Sequence, residues 1–120
     1  RAALAVLDQI APEKSLARAK EIGRVVHGRF RIFQERHPIV GDVRGLGAMV
    51  GMELVTDRQT KEPAAALTGR LIARCREKGL LLVSAGVHSN IIRPLMPLVI
   101  TDDQLERGLT IIGDALEEVL

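Results

Sequence analysis

At 120 residues, 47% hydrophobic and 27% charged, the chain fits one soluble globular domain with a real core and is too short for several. A net charge of +2, two phenylalanines and no Tyr or Trp exclude the basic surplus and stacking aromatics of a single-strand nucleic-acid binder. The lone Cys75 excludes a disulfide framework and cysteine-pair metal sites and fits a reducing, cytoplasmic compartment, while His27, His37 and His88 lack ligand spacing, so no metal is predicted.

The chain opens in helical pattern at its first residue, with Leu4, Leu7 and Ile10 at helical spacing and Pro12 ending that helix or beginning the next. No capping residue precedes it, so the chain reads as cut from something longer. From Lys14 to about Arg36, Leu16, Ala19, Ile22, Val26, Phe30 and Phe33 recur every three to four residues and predict an amphipathic helix. Its outer face is basic. Residues 1–45 hold nine Lys/Arg against five Asp/Glu, and residues 46–120 hold eight against ten. A solvated face, or one that meets another part of a larger protein, explains this surplus.

His37-Pro38 stops the helix. Residues 39–55, rich in glycine and β-branched side chains, predict a strand, a glycine turn at 45–47 and a second strand to Val55. Asp57 to Glu62 is a polar loop. Pro63 suits a helix start, Leu67, Leu71, Ile72 and Cys75 form a buried stripe, and Lys78-Gly79 closes that helix. Leu80–Val83 is predicted as a short buried strand, Val87–Asn90 as a loop, and Ile91–Arg93 and Leu98–Ile100 as extended. Thr101-Asp102-Asp103-Gln104 is a capping box, opening a helix with Leu105, Leu109, Ile112, Leu116 and Val119 on one face. The class is α+β, with strands packed on one side and helices covering them.

Between Lys78 and Asp102 the single formal charge is Arg93. Its planar fork fits a carboxylate or phosphate, and Pro94 keeps Arg93 out of helix. A structural ion pair with a buried Glu or Asp and an anion receptor both account for it, and residue chemistry favours the first. The same stretch is interrupted by polar residues and two prolines, so no membrane span is predicted. Gly45, Gly47 and Gly51 read as turn residues, because a strand follows where a dinucleotide site needs a helix. Asp102 and Asp103 serve the helix dipole, and Glu53 takes the solvent face of its strand. Ser84 and His88 have no carboxylate spaced to orient them, so no hydrolytic triad is predicted. Lys14, Lys20, Lys61 and Lys78 fall on helix faces or in a loop, outside the apolar setting that imine chemistry needs. No catalytic, cofactor-binding or metal-binding residue is assigned within the chain.

Residues 43–54 (Val-Arg-Gly-Leu-Gly-Ala-Met-Val-Gly-Met-Glu-Leu), Glu77-Lys78-Gly79-Leu80-Leu81 and Asn90-Ile-Ile-Arg-Pro-Leu-Met-Pro-Leu98, in that order and spacing, resemble the C-terminal domain of the class III pyridoxal-phosphate aminotransferases. Within the family they are most like the 4-aminobutyrate branch, and ornithine and acetylornithine aminotransferases share the elements. The resemblance covers nearly the whole chain. It implies the small domain of a fold-type I enzyme over residues 1–120, an antiparallel-rich sheet covered on one side by helices, with residues 1–13 the truncated end of a helix from a missing large domain. The implied parent is a cytoplasmic homodimer that moves an amino group from 4-aminobutyrate, or a similar omega-amino acid, to 2-oxoglutarate, giving succinate semialdehyde and glutamate. Pyridoxal 5'-phosphate, its Schiff-base lysine, the aspartate on the ring nitrogen and the phosphate loop would lie upstream, so the fragment should be inactive and bind no cofactor.

Arg93 matches the family arginine that receives the α-carboxylate of glutamate or 2-oxoglutarate and pairs with an upstream glutamate in the other half-reaction. The Gly45–Gly47 turn and the Ser84–His88 loop would border the active-site entrance. Pro94 departs from the aliphatic or aromatic residue expected there and stiffens the backbone. The competing readings are a stand-alone carboxylate-binding module using Arg93, and a structural or interaction domain with Arg93 in a permanent salt bridge.

Overall fold

The computed structural model describes residues 1–10 and 14–120, and Pro12 lies outside them. Among the described residues, four helices and four strands follow in the order α1 (Ala2–Ile10), α2 (Lys14–Arg36), β1 (Val40–Leu46), β2 (Met49–Leu54), α3 (Ala65–Glu77), β3 (Ser84–Ala85), β4 (Ile91–Ile92) and α4 (Asp102–Val119). The strands form one antiparallel sheet in the order β1-β2-β4-β3. Helix α2 packs on β1 and β2, α3 packs on β2 and β3, and α4 packs against α3 and α2. The predicted α+β class holds.

A bulge orients the first strand. Val40 and Val43 are three residues apart and would face opposite sides of a regular strand. The register shifts between Val40 and Asp42, and both valines turn inward. Val50, Met52 and Leu54 alternate inward from β2 and meet Ile92 of β4 in the core. The opposite face is polar: Arg44 Nη1 lies 2.7 Å from Asp42 and 2.5 Å from Glu53. Glu53 is therefore on the solvent face as expected, and the Arg44 guanidinium holds the Asp42 carboxyl below its ordinary value.

The long helices follow their periodicity. Ile22, Val26, Phe30 and Phe33 are buried along α2, and Leu105, Leu109, Ile112 and Leu116 along α4. The capping box is complete. Gln104 N–H donates to Thr101 Oγ1 at 3.2 Å, and Thr101 N–H donates to Gln104 Oε1 at 3.1 Å. In α3, Leu71 and Cys75 are buried together with Thr68, whose hydroxyl donates to the Ala64 carbonyl at 2.9 Å. Gly79, at φ +87°, ends this helix in the left-handed conformation that glycine suits. Lys78 and Arg74 both reach Glu118 of α4 and hold its carboxyl below the ordinary value.

Several boundaries differ from expectation. Leu80–Val83 is not a strand, and Leu81 is 83% exposed. Pairing starts only at Ser84↔Ile92, one residue after the predicted run ends, because residues 80–83 would run past Arg93 and Pro94, and a proline cannot donate to the ladder. Leu98–Ile100 is a turn rather than extended chain, closed by Ile100 N–H donating to the Pro97 carbonyl at 3.0 Å. Strand β1 runs through Gly45 to Leu46, so the hairpin turn is Gly47-Ala48 instead of 45–47, with Gly47 at φ +55°. Pro63 pairs with Val55 in an isolated bridge, and α3 starts two residues on at Ala65. Leu16, Leu4, Leu7 and Ile10 are exposed rather than buried, because the remaining elements place nothing over them among the described residues.

Burial pushes the Cys75 thiol up to about 11. The expected consequence is that iodoacetamide leaves it unmodified at pH 8 in the folded protein and labels it in 8 M urea (roughly the concentration that unfolds small domains), as intact mass reports. Prompt labelling without denaturant would contradict its core position.

Candidate functional site

Arg93 follows β4 directly, between the buried Ile92 and the buried Pro94. It lines a cavity of about 460 Å³ whose other walls are the 80–83 segment, the 94–97 segment and the first half of α4. Those walls are almost wholly apolar: Leu80, Leu82, Met96, Leu105 and Leu109 are among them, and no Asp or Glu is. Arg93 is half-buried, and among the described residues it makes no ion pair. Its Nε is buried without any hydrogen-bond partner. The structural ion pair that residue chemistry favoured is therefore absent among the described residues.

An unpaired buried donor on a cation costs free energy that a bound oxyanion can offset. The guanidinium fork offers parallel donors to a carboxylate, and apolar walls beside it strengthen that contact relative to bulk water. The cavity has no second titratable group suited to proton transfer. It can bind and orient, and it holds no nucleophile.

The antiparallel register separates the other sequence candidates. Met52 pairs with Ile92, so the Gly47-Ala48 turn stands at the end of the sheet toward which Arg93 leads. Ala85 pairs with Ile91, so the Gly86–Ser89 turn leaves from the opposite end, carrying His88 away from Arg93. Asn90 is structural: its Nδ2 donates to the Leu54 carbonyl at 2.9 Å, and Leu54 N–H donates back to the Asn90 carbonyl at 2.8 Å. Asp102 sits in the first turn of α4, as expected, and is also bound by Arg18 at 2.8 Å.

Arg18 escaped the sequence reading. Its Nη2 also donates to the carbonyl of Ile100, a cavity residue, at 2.6 Å. One guanidinium on α2 thereby pins the irregular cavity wall to the start of α4. The sequence carries no signal for it, because 82 residues separate the partners. Arg58 was missed likewise: Nε donates to the Pro38 carbonyl at 2.9 Å, and Nη2 reaches the carbonyl of Gln34 in the last turn of α2 and those of His37 and Val40 just past it.

Comparison with known proteins places this geometry in a family context. The family described as "Aminotransferase class-III" matches residues 1–116. The chain is 46% identical over 118 residues to the 5-aminovalerate aminotransferase DavT of Pseudomonas aeruginosa, covering 98% of this chain and 28% of that protein. It is 43% identical over 117 residues to the 4-aminobutyrate aminotransferase GabT of Escherichia coli, again 98% of this chain and 28% of that one. A solved aminotransferase of Bacillus anthracis superposes with a TM-score of 0.83 at 31% identity, over 97% of this chain and 27% of that one. The chain thus spans little more than a quarter of the length of the curated relatives it matches.

Pyridoxal phosphate, which the family implies, needs an imine-forming lysine and a carboxylate for its ring nitrogen. The Arg93 cavity has neither. Lys14, Lys20 and Lys61 are exposed, and Lys78 is engaged 2.7 Å from Glu118. The described residues do not by themselves fit the cofactor.

Proposed function

This chain belongs to the class III aminotransferase family, and from that premise we propose that it is the small domain of a longer pyridoxal-phosphate enzyme, whose substrate carboxylate Arg93 receives. The unpartnered Nε of Arg93 in an apolar cavity is the observation that carries the reading. The full enzyme moves an amino group from 4-aminobutyrate, or a similar omega-amino acid, to 2-oxoglutarate, yielding succinate semialdehyde and glutamate. The names of the relatives DavT and GabT support an omega-amino donor. Lysine, ring-nitrogen carboxylate and phosphate loop come from outside these 120 residues, which alone do not transaminate. The active assembly is a homodimer, as the family resemblance implies, and it is cytoplasmic, a reducing setting that a single unpaired cysteine fits.

The test is an assay of the full natural polypeptide with added pyridoxal phosphate and 2-oxoglutarate, against 4-aminobutyrate, 5-aminovalerate, ornithine and acetylornithine in turn. Glutamate formation led by 4-aminobutyrate is expected. Preference for ornithine or acetylornithine would move the enzyme to another branch. Saturable 2-oxoglutarate binding without any amino transfer would replace the enzyme by a carboxylate-binding module.

A further inference from the structure

Helix α2 carries Lys20, Arg24 and His27 at i, i+4 and i+7, on a single helical face. Like charges four residues apart weaken a helix unless something compensates them. The neighbouring arginines are compensated: Arg18 pairs with Glu21 and Asp102, and Arg29 with Glu106. Lys20, Arg24 and His27 enter no ion pair or side-chain hydrogen bond among the described residues. All three line a recess of about 250 Å³ whose opposite wall is the β1–β2 hairpin at Gly45, Gly47 and Val50. No carboxylate lines it.

The recess is built by close backbone approach. A Cβ on Gly23 would stand 1.9 Å from the Gly47 carbonyl oxygen, so the hairpin turn rests directly on α2. Beside that contact Gly45 pairs with the inward-facing Val50, and both line the recess opposite the three basic groups. Gly47 is the turn residue here, Gly45 belongs to β1, and the cations supply the charge.

We propose that this recess is a second anion site, taking a small oxyanion of the phosphate class, either inorganic phosphate or the headgroup of a phosphate monoester. An ammonium, a guanidinium fork and an imidazole line the one recess, and three separate donor groups suit a tetrahedral dianion with three free oxygens better than a planar carboxylate with two. The site is separate from the Arg93 cavity, with which it shares no lining residue, and it does not depend on the reaction proposed for that cavity.

Inorganic phosphate is titrated into the full natural chain at constant ionic strength, with chloride as the balancing anion, while the imidazole proton resonances are followed by NMR. A saturable shift of His27, with His37 and His88 unmoved and a midpoint in the millimolar range (on the order of 1 mM), is expected. The double variant Lys20→Gln/Arg24→Gln should raise that midpoint at least about tenfold. Its thermal midpoint should equal or exceed that of the parent chain, because the change relieves repulsion. A parallel arm with glycerol phosphate separates the two sources: equal binding assigns a monoester headgroup, and binding of inorganic phosphate alone assigns the free ion. A response linear in phosphate, a response reproduced by chloride, or an unchanged midpoint in the double variant overturns the site. Should the double variant fold poorly, the parent titration against chloride decides alone.

Discussion

On the proposed function, Arg93→Met in the full-length protein is expected to weaken the 2-oxoglutarate and glutamate half-reaction by roughly 30- to 4,000-fold, the equivalent of about 2–5 kcal/mol for a lost charged contact. Thermal unfolding should stay where it is or rise slightly. The two outcomes share one cause: the Nε of Arg93 is buried without a partner, so its removal breaks no internal bond and relieves an uncompensated donor. Methionine fills comparable volume against Met96 and Leu105 in the cavity wall, which limits cavity formation. Stopped-flow measurement of each half-reaction separates the roles, because the omega-amino donor half-reaction should fall far less. Arg93→Lys should recover only part of the loss, since an ammonium keeps the charge without the fork. If both half-reactions and the unfolding temperature drop together, Arg93 is a structural residue and the receptor assignment fails.

Gly23→Ala is expected to be the most destabilising small substitution in the domain. The new methyl would lie 1.9 Å from the Gly47 oxygen and 2.5 Å from its carbonyl carbon, distances no side-chain adjustment relieves because both partners are backbone. Either α2 or the hairpin must shift, at a cost of about 1–3 kcal/mol or more. For a domain of this size that corresponds to a thermal midpoint lower by roughly 4 °C per kcal/mol. Gly28→Ala provides the control within the same helix. Nothing stands within 4 Å of its would-be Cβ, so the change should stabilise by up to about 1 kcal/mol through helix propensity alone. Urea unfolding of both variants gives the comparison, and a Gly23→Ala protein as stable as its parent would show that the helix–hairpin contact is looser than described.

Much of the fold was legible because its causes are local. The ends of α2 and α4 follow from apolar spacing, the His37-Pro38 stop and the Thr101–Gln104 capping box, each settled within a few residues. The short edge strand was misplaced for the opposite reason. Whether residues 80–83 or 84–85 pair is decided by β4, and there Pro94 removes the donor that would extend the ladder. The apolar spacing of α1 was equally clear, yet its leucines are exposed, since periodicity states which face is apolar and not whether anything covers it.

The candidate site divides along the same line. That one cation stands alone in a long uncharged stretch, and that it sits in the order of motifs typical of a class III aminotransferase, was readable from residues 43–98. Whether Arg93 was already paired was not, because a salt-bridge partner can come from any distance along the chain. The same holds for Arg18 bracing Ile100 across 82 residues, and for Gly23 seating Gly47. Local pattern and charge spacing determined the helices, the hairpin and the isolation of Arg93 in an otherwise uncharged stretch. Only the tertiary structure decided which charges go unpaired and where backbones touch, because those depend on contacts between segments that are distant in sequence.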